Sequence, residues 1–178
     1  MDAPMMRSLP QSIEAEQSVI GAMLIDKNAM AKVFEKLEEE DFYRDGHKVI
    51  YNAIKEMYAK DMAVDLVTLL EHLKSADMLE KAGGVTYISE LSASVPTTAN
   101  LSSYIKIVEE KSTLRKLIKT STSIIEESYN NGGDVEKVID IAQKKIFDLA
   151  ENKDSKEYEP LSSVLERGFI EIERLFNN

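Results

Sequence analysis

Apolar residues recur at three- and four-residue intervals along most of the chain, a spacing that predicts helix rather than strand. Ser12 has the side chain of an N-cap, and Glu14 and Glu16 follow in the first turn, where the helix dipole favours negative charge. Ile13, Val19, Ile20, Met23 and Leu24 then form a core face. Asp26 starts a short second helix carrying Met30, Val33, Phe34 and Leu37. "EEEDFYRDGH" interrupts it, after which Ile50, Tyr51, Ile54, Met57 and Tyr58 mark a third. Asp65 caps a fourth, with Leu66, Leu69, Leu70 and Leu73 inward. A further short helix is expected to end at Gly83–Gly84, because glycine takes positive φ without steric cost. Residues 85–94 read as one more helix, stopped by Pro96.

From Asn100 to about Asn130 the pattern is that of one long helix whose apolar face turns partway along. Leu101, Tyr104, Ile105 and Val108 share one side; Ile107, Leu114, Leu117, Ile118, Ile124 and Ile125 share another. The front half can close a globule, and the back half needs a different cover. "YNNGGDVEKVIDIAQKKIFDLAE" supplies it: a Gly132–Gly133 turn, an Asp134 N-cap and a second amphipathic helix, which together make a helical hairpin. Val135, Val138, Ile139, Ala142, Ile146 and Leu149 form its stripe, with Ile141 and Phe147 on the flanks. Two helices cannot surround so much apolar surface, so the hairpin, with Leu114, Leu117, Ile125, Ile141 and Phe147 as its packing residues, is expected to bury the remainder against another copy of the chain.

"ENKDSKEYEP", residues 151–160, is polar and ends in proline, as a linker does. Leu161, Val164, Leu165, Phe169, Ile172, Leu175 and Phe176 then fall on one helical face, which reads as a docking helix. The expected fold class is therefore all-α: a small helical bundle over residues 1–110, a hairpin over 111–151, and a linker with a C-terminal amphipathic helix over 152–178.

Composition narrows the functions open to such a fold. Thirty-two acidic against 22 basic residues leave a formal charge of −10, a poor balance for gripping nucleic acid, whose phosphates require clustered positive charge. Protein partners are expected instead. The absence of cysteine removes thiolate metal sites, thiol nucleophiles and disulfides together. "MDAPMMRSLPQ" lacks the basic start and apolar run of a signal peptide, and no run approaches ~18 apolar residues, so neither export nor a membrane span is expected and the cytoplasm is the expected location.

Candidate chemistry is sparse. No G-x-x-x-x-G-K-[ST] occurs, so no P-loop cradles a nucleotide, and no catalytic, cofactor or metal residues are assigned. His47 and His72 lie outside any metal-ligand spacing and are expected to be ordinary surface or boundary residues. The acidic run at residues 38–41 is expected to be a solvated helix end. Lys111, Arg115 and Lys119 recur every fourth residue; a solvated face is the expectation, a phosphate or acidic-partner contact the alternative.

Read as ordered segments, the chain says more. "LPQSIEAEQSVIGAMLID", "EDFYRDGHKVIYNAI", "VDLVTLLEHL", "GGVTYISEL", "SVPTTAN", "YIKIVEEKSTLRKLI" and the amphipathic tail resemble, in order and over nearly all of residues 7–178, the N-terminal region of the bacterial replicative DNA helicases of the DnaB family. The resemblance implies a collar domain that pairs through its hairpins, as a trimer of dimers in a hexamer. It also implies a linker helix docked on a neighbour's motor domain, and an ATP- and magnesium-dependent RecA-like motor that would follow Asn178. The partners it implies are the C-terminal domain of primase (the DnaG family) and a helicase loader. Tyr87, Ile118 and Ile124 match family positions associated with primase contact and hairpin packing, and the tail apolar residues from Leu161 to Phe176 match the docking helix. Desolvated aromatic and branched side chains are the kind that anchor interfaces, with plain core packing as the alternative. A free-standing helical regulator or adaptor that self-associates is the rival reading; a metal-dependent bundle enzyme would need inward carboxylate–histidine pairs at ligand spacing, which are lacking.

Overall fold

The computed structural model describes residues 8–94, 98–130 and 134–154. Every regular element among these residues is helical: α1 (Ile13–Ile25), α2 (Lys27–Lys36), a 3-10 turn (Glu39–Asp41), α3 (Asp45–Ala59), α4 (Leu66–Ser75), α5 (Gly84–Ser94), α6 (Leu101–Asn130) and α7 (Val135–Asp154). The tail residues Leu161, Val164, Leu165, Phe169, Ile172, Leu175 and Phe176, like Pro96 and the Gly132–Gly133 turn, lie outside the described residues.

The helix starts follow side-chain capping. Ser12 Oγ accepts from the Ala15 amide, Asp26 Oδ1 from Asn28, Asp65 Oδ1 from Thr68 and Asp134 Oδ1 from Lys137. The ends of α3 and α4 are closed by aspartates in place of glycine. Asp61 (φ 53°) and Asp77 (φ 55°) turn left-handed, and the next amides, of Met62 and Met78, bond back to the carbonyls of Met57 and Leu73.

Helix α1 is the axis of the globule. It packs against α2, α3 and α5, and α4 packs against α3 and α5. Val19, Ile20 and Met23 are fully buried among Met30, Val33, Ile50, Tyr51, Ile54, Leu69, Leu73 and Ile88, and the start of α6 closes the core with Leu101, Ile105 and Val108. The sequence pattern places Ile107 on the other face of α6, whereas the structure packs it partly buried on this core.

The chain forms two compact units that divide between Thr122 and Ser123, later than the 110/111 boundary read from the sequence. The physical reason lies beyond Val108. Ser112 Oγ donates to Asp41 Oδ1 at 2.6 Å, as does Lys116 Nζ at 2.7 Å, while Arg115 donates to the carbonyls of Asp41 (2.6 Å) and Pro10 (2.8 Å). These bonds fasten another two turns of α6 to the globule. They also correct two expectations: Asp41 is a fully buried clamp rather than part of a solvated acidic end, and Arg115 holds backbone rather than facing solvent or phosphate.

A second difference concerns the segment before Gly83–Gly84. Residues 79–83 form turns, not a helix: Ala82 bonds back to Met78, Gly83 to Glu80 and Gly84 to Leu79. Gly83 (φ 108°) and Gly84 (φ 80°) set the direction in which α5 leaves. Two consecutive positive-φ residues suit a change of direction, so the glycines open α5 instead of ending a helix.

Burial alone would raise the Asp41 pKa. Hydrogen bonds from Lys116, Ser112 and the Glu38 amide, with the Lys116 charge, outweigh it and hold the group at about 2. A carboxylate depressed in the folded state stabilises above its unfolded pKa and loses that contribution as pH falls through the folded value. Asp41→Asn is therefore expected to cost roughly 2 kcal/mol at neutral pH, with the deficit against the native chain shrinking between about pH 4 and pH 2. Urea titrations at several pH values measure it; a deficit constant across that window would contradict the account.

Candidate functional site

Two features stand out from the fold: a buried polar cluster beneath Tyr87, and apolar side chains left open on α6 and α7.

The cluster joins α1, the start of α3 and α5. Gly46 permits the approach, since a Cβ there would sit 3.2 Å from the Lys81 carbonyl oxygen and 3.3 Å from that of Ala82. Glu16 is 1% exposed and His47 0%, so both are interior groups. The Glu16 carboxylate accepts from the amides of Tyr43 (2.8 Å) and Arg44 (3.3 Å) and lies 2.6 Å from His47 Nδ1. His47 Nε2 lies 2.6 Å from the Tyr87 hydroxyl, which also accepts from Arg44 (2.9 Å) and from Gln17 Nε2 (3.2 Å). The imidazole and the Tyr87 ring lie nearly parallel, 9° apart, and meet edge to edge at the hydroxyl, with Arg44 over the phenol at 5.0 Å. Beside Tyr87 the backbone is tighter still: a Cβ on Gly83 would fall 2.6 Å from Tyr87 Cδ1.

The expectation that His47 is a surface or boundary residue is thus corrected. Its ring sits on the same helical face as Ile50, Tyr51 and Ile54, and a carboxylate meets it there. Glu16, Gln17 and Arg44 are members of the cluster that the sequence pattern does not single out. One signal is present: Glu16 stands three, four and seven residues before Val19, Ile20 and Met23, which puts a carboxylate on a core face. His72, half-buried and 3.4 Å from Glu56, is the boundary residue expected.

On the globular unit, Leu114, Leu117 and Ile118 of α6 are exposed. In the second unit Ile124 is half-buried, whereas Ile125 (56% exposed) and Tyr129 (85%) are open. Helix α7 divides its own apolar surface. Val138, Ile141, Ala142 and Leu149 are half-covered along with Lys145, whose ammonium donates to Ser123 Oγ at 2.6 Å and so faces α6. Val135 (71%), Ile139 (50%), Ile146 (44%) and Phe147 (62%) remain outside. Ile141, read from sequence as a flank, is turned inward, and half of the expected stripe is turned outward. The covered side of α7 is centred on Lys145, to one side of the hydrophobic centre of the helix. Among the described residues no group of acidic or histidine side chains is arranged to hold a metal, and no helix is long and apolar enough to cross a membrane.

The comparisons with known proteins bear on this all-helical arrangement. Residues 8–110 match the family model of the DnaB-like helicase N terminal domain. The chain belongs to that family. The DnaB-like chain is 41% identical over 168 residues to the replicative DNA helicase DnaC of Bacillus subtilis and 42% identical to the replicative DNA helicase DnaB of Geobacillus stearothermophilus. In each case the match covers 94% of this chain and 37% of the relative, so the chain spans little more than a third of the length of these curated helicases. Its fold is that of a crystal structure of the N-terminal domain of DnaB helicase from Mycobacterium tuberculosis, with a TM-score of 0.73 and 40% identity over 79% of this chain and 99% of that one. A structure of a DnaB-like replicative helicase and its interactions with primase is similar at a TM-score of 0.65 and 26% identity, covering 88% of this chain and 34% of that one.

Proposed function

We propose that this domain is the assembly and docking collar of a replicative DNA helicase: it self-associates through the α6–α7 hairpin and receives primase, through the C-terminal domain of that enzyme. Dimers, arranged as a trimer of dimers in a hexamer, are the assembly it serves. Tyr87, Ile118 and Ile124 are the contact residues proposed for primase and the hairpin interface, with Leu114, Leu117, Ile125, Ile141 and Phe147 packing around them. A helicase loader is a further partner, and the segment with Leu161 to Phe176 docks on an adjacent motor domain. ATP- and magnesium-dependent unwinding belongs to that motor, in the cytoplasm, and not to any residue of this chain.

The observation that carries the reading is the row of open apolar side chains on an otherwise well-buried fold. Ile125, Tyr129, Val135, Ile139 and Phe147 are each at least half exposed in a lone chain, a distribution characteristic of interaction sites. The similarity to a helicase structure described with its primase interactions supports the choice of partner.

Light scattering of the chain with and without the primase C-terminal domain tests it. At roughly tens of micromolar the chain is expected to exceed monomer mass and to gain mass on adding the primase domain. Ile118→Glu with Ile124→Glu is expected to weaken self-association or primase binding by at least roughly tenfold. A monomer that ignores primase at that concentration overturns the proposal.

A further inference from the structure

We propose that Glu16 and His47 are positioning residues for partner docking: they orient Tyr87 through a one-way chain of hydrogen bonds, Tyr87 hydroxyl to His47 Nε2 and His47 Nδ1–H to Glu16. The inference rests on the reading of Tyr87 as a primase contact and adds the residues that place it.

Donor and acceptor capacities impose the direction. An ionised carboxylate only accepts, so the 2.6 Å contact with Glu16 requires the proton on His47 Nδ1. A phenol has one proton to give and two lone pairs to fill. Arg44 can only donate, and the Gln17 amide nitrogen donates as well, so both lone pairs of Tyr87 are taken. Its own proton then goes to the remaining neighbour, Nε2 of a neutral His47, 2.6 Å away. No buried side-chain nitrogen or oxygen among the described residues is left without a partner, which agrees with a cluster closed in this way. A cationic His47 would compete with Arg44 and Gln17 for the same two lone pairs, and would add a second cation beside a ring that already has the Arg44 guanidinium at 5.0 Å.

The chain of bonds has a mechanical consequence. Glu16 is fixed by the backbone amides of Tyr43 and Arg44, so its oxygens cannot follow a moving ligand. His47 is sealed in the core, and the Tyr87 ring is tied to it at the hydroxyl end and lies against Gly83 at the Cβ end. Tyr87 has few remaining conformations, and an interface anchor already locked in one rotamer loses less entropy on binding than a mobile one. Arg44, exposed and bonded to the same hydroxyl, is presented with it.

Two measurements on the intact chain test this. Long-range proton–nitrogen NMR of the imidazoles is expected to show His47 protonated at Nδ1 with Nε2 bare, the reverse of the tautomer favoured in free histidine, and Tyr87→Phe should shift the Nε2 resonance. Primase-domain affinity is then read in a cycle of His47→Gln and Tyr87→Phe. Each substitution alone is expected to weaken binding by roughly fivefold to tenfold, and His47→Gln should cost little more in the Tyr87→Phe background. An Nε2–H tautomer or a doubly protonated ring overturns the proposal whether or not His47→Gln folds. Equal losses from His47→Gln in both backgrounds also overturn it, while leaving the docking site intact. A Tyr87→Ala chain that binds primase normally removes both the docking site and the relay.

Discussion

His47→Leu should destabilise the domain by about 3 kcal/mol, the upper range for leaving a buried charged group without one of its hydrogen-bond donors. Leucine has a comparable volume and no polar atom, so packing is roughly conserved and the loss is electrostatic. Glu16, 1% exposed, would keep two backbone amides and lose its 2.6 Å contact with the imidazole, and the Tyr87 hydroxyl would lose its acceptor. Tyr87→Phe, which removes only that hydroxyl, should cost less, about 1–2 kcal/mol, because Arg44 and Gln17 can turn to solvent and only the buried His47 Nε2 is left without its donor. Urea unfolding followed by far-ultraviolet circular dichroism measures both, since the chain has no tryptophan. A loss below about 1 kcal/mol for His47→Leu would mean that the Glu16 carboxylate is not held by the imidazole.

The second large effect concerns self-association, and it rests on the proposed role of the hairpin. Ile139→Asp combined with Ile146→Asp should weaken the interaction between copies by roughly three orders of magnitude. Each isoleucine removed from an apolar contact forfeits about 2 kcal/mol, and every 1.4 kcal/mol is tenfold. Both residues lie on the open side of α7, 50% and 44% exposed, so the lone chain should fold as before. Lys144→Glu, on the polar side, serves as the control and should leave association unchanged. Sedimentation equilibrium reads the outcome: a double variant that associates like the native chain would place the contact elsewhere.

How much of the fold and site is legible in the sequence varies with the kind of information each feature requires. The caps at Ser12, Asp26, Asp65 and Asp134 are legible because an N-cap depends on the residue and the next three positions alone. The all-helical class and the length of α6 follow from periodicity, another local property. The turns before Gly83 mislead because a glycine pair marks a change of direction without saying whether a helix lies before or after it. Asp41 misleads because its neighbours Glu38, Glu39 and Glu40 suggest solvent, while the groups that bury it, Ser112, Arg115 and Lys116, are about seventy residues away.

The amino-acid sequence by itself determined most of the helices, the N-caps at Ser12, Asp26, Asp65 and Asp134, the family and the surplus of apolar surface on the hairpin, since each is written in short-range pattern or in ordered similarity. Only the tertiary structure decided which polar groups are interior. Glu16 and His47 each occupy a core face of their own helix, where either alone would be costly; folding brings them within 2.6 Å, and that meeting turns two apparent defects into one satisfied pair. The same holds for α7, whose apolar arc is wider than one neighbour can cover. Which half is covered depends on where α6 lies, and Lys145 on Ser123 settles it with Ile141 inside and Ile139 outside.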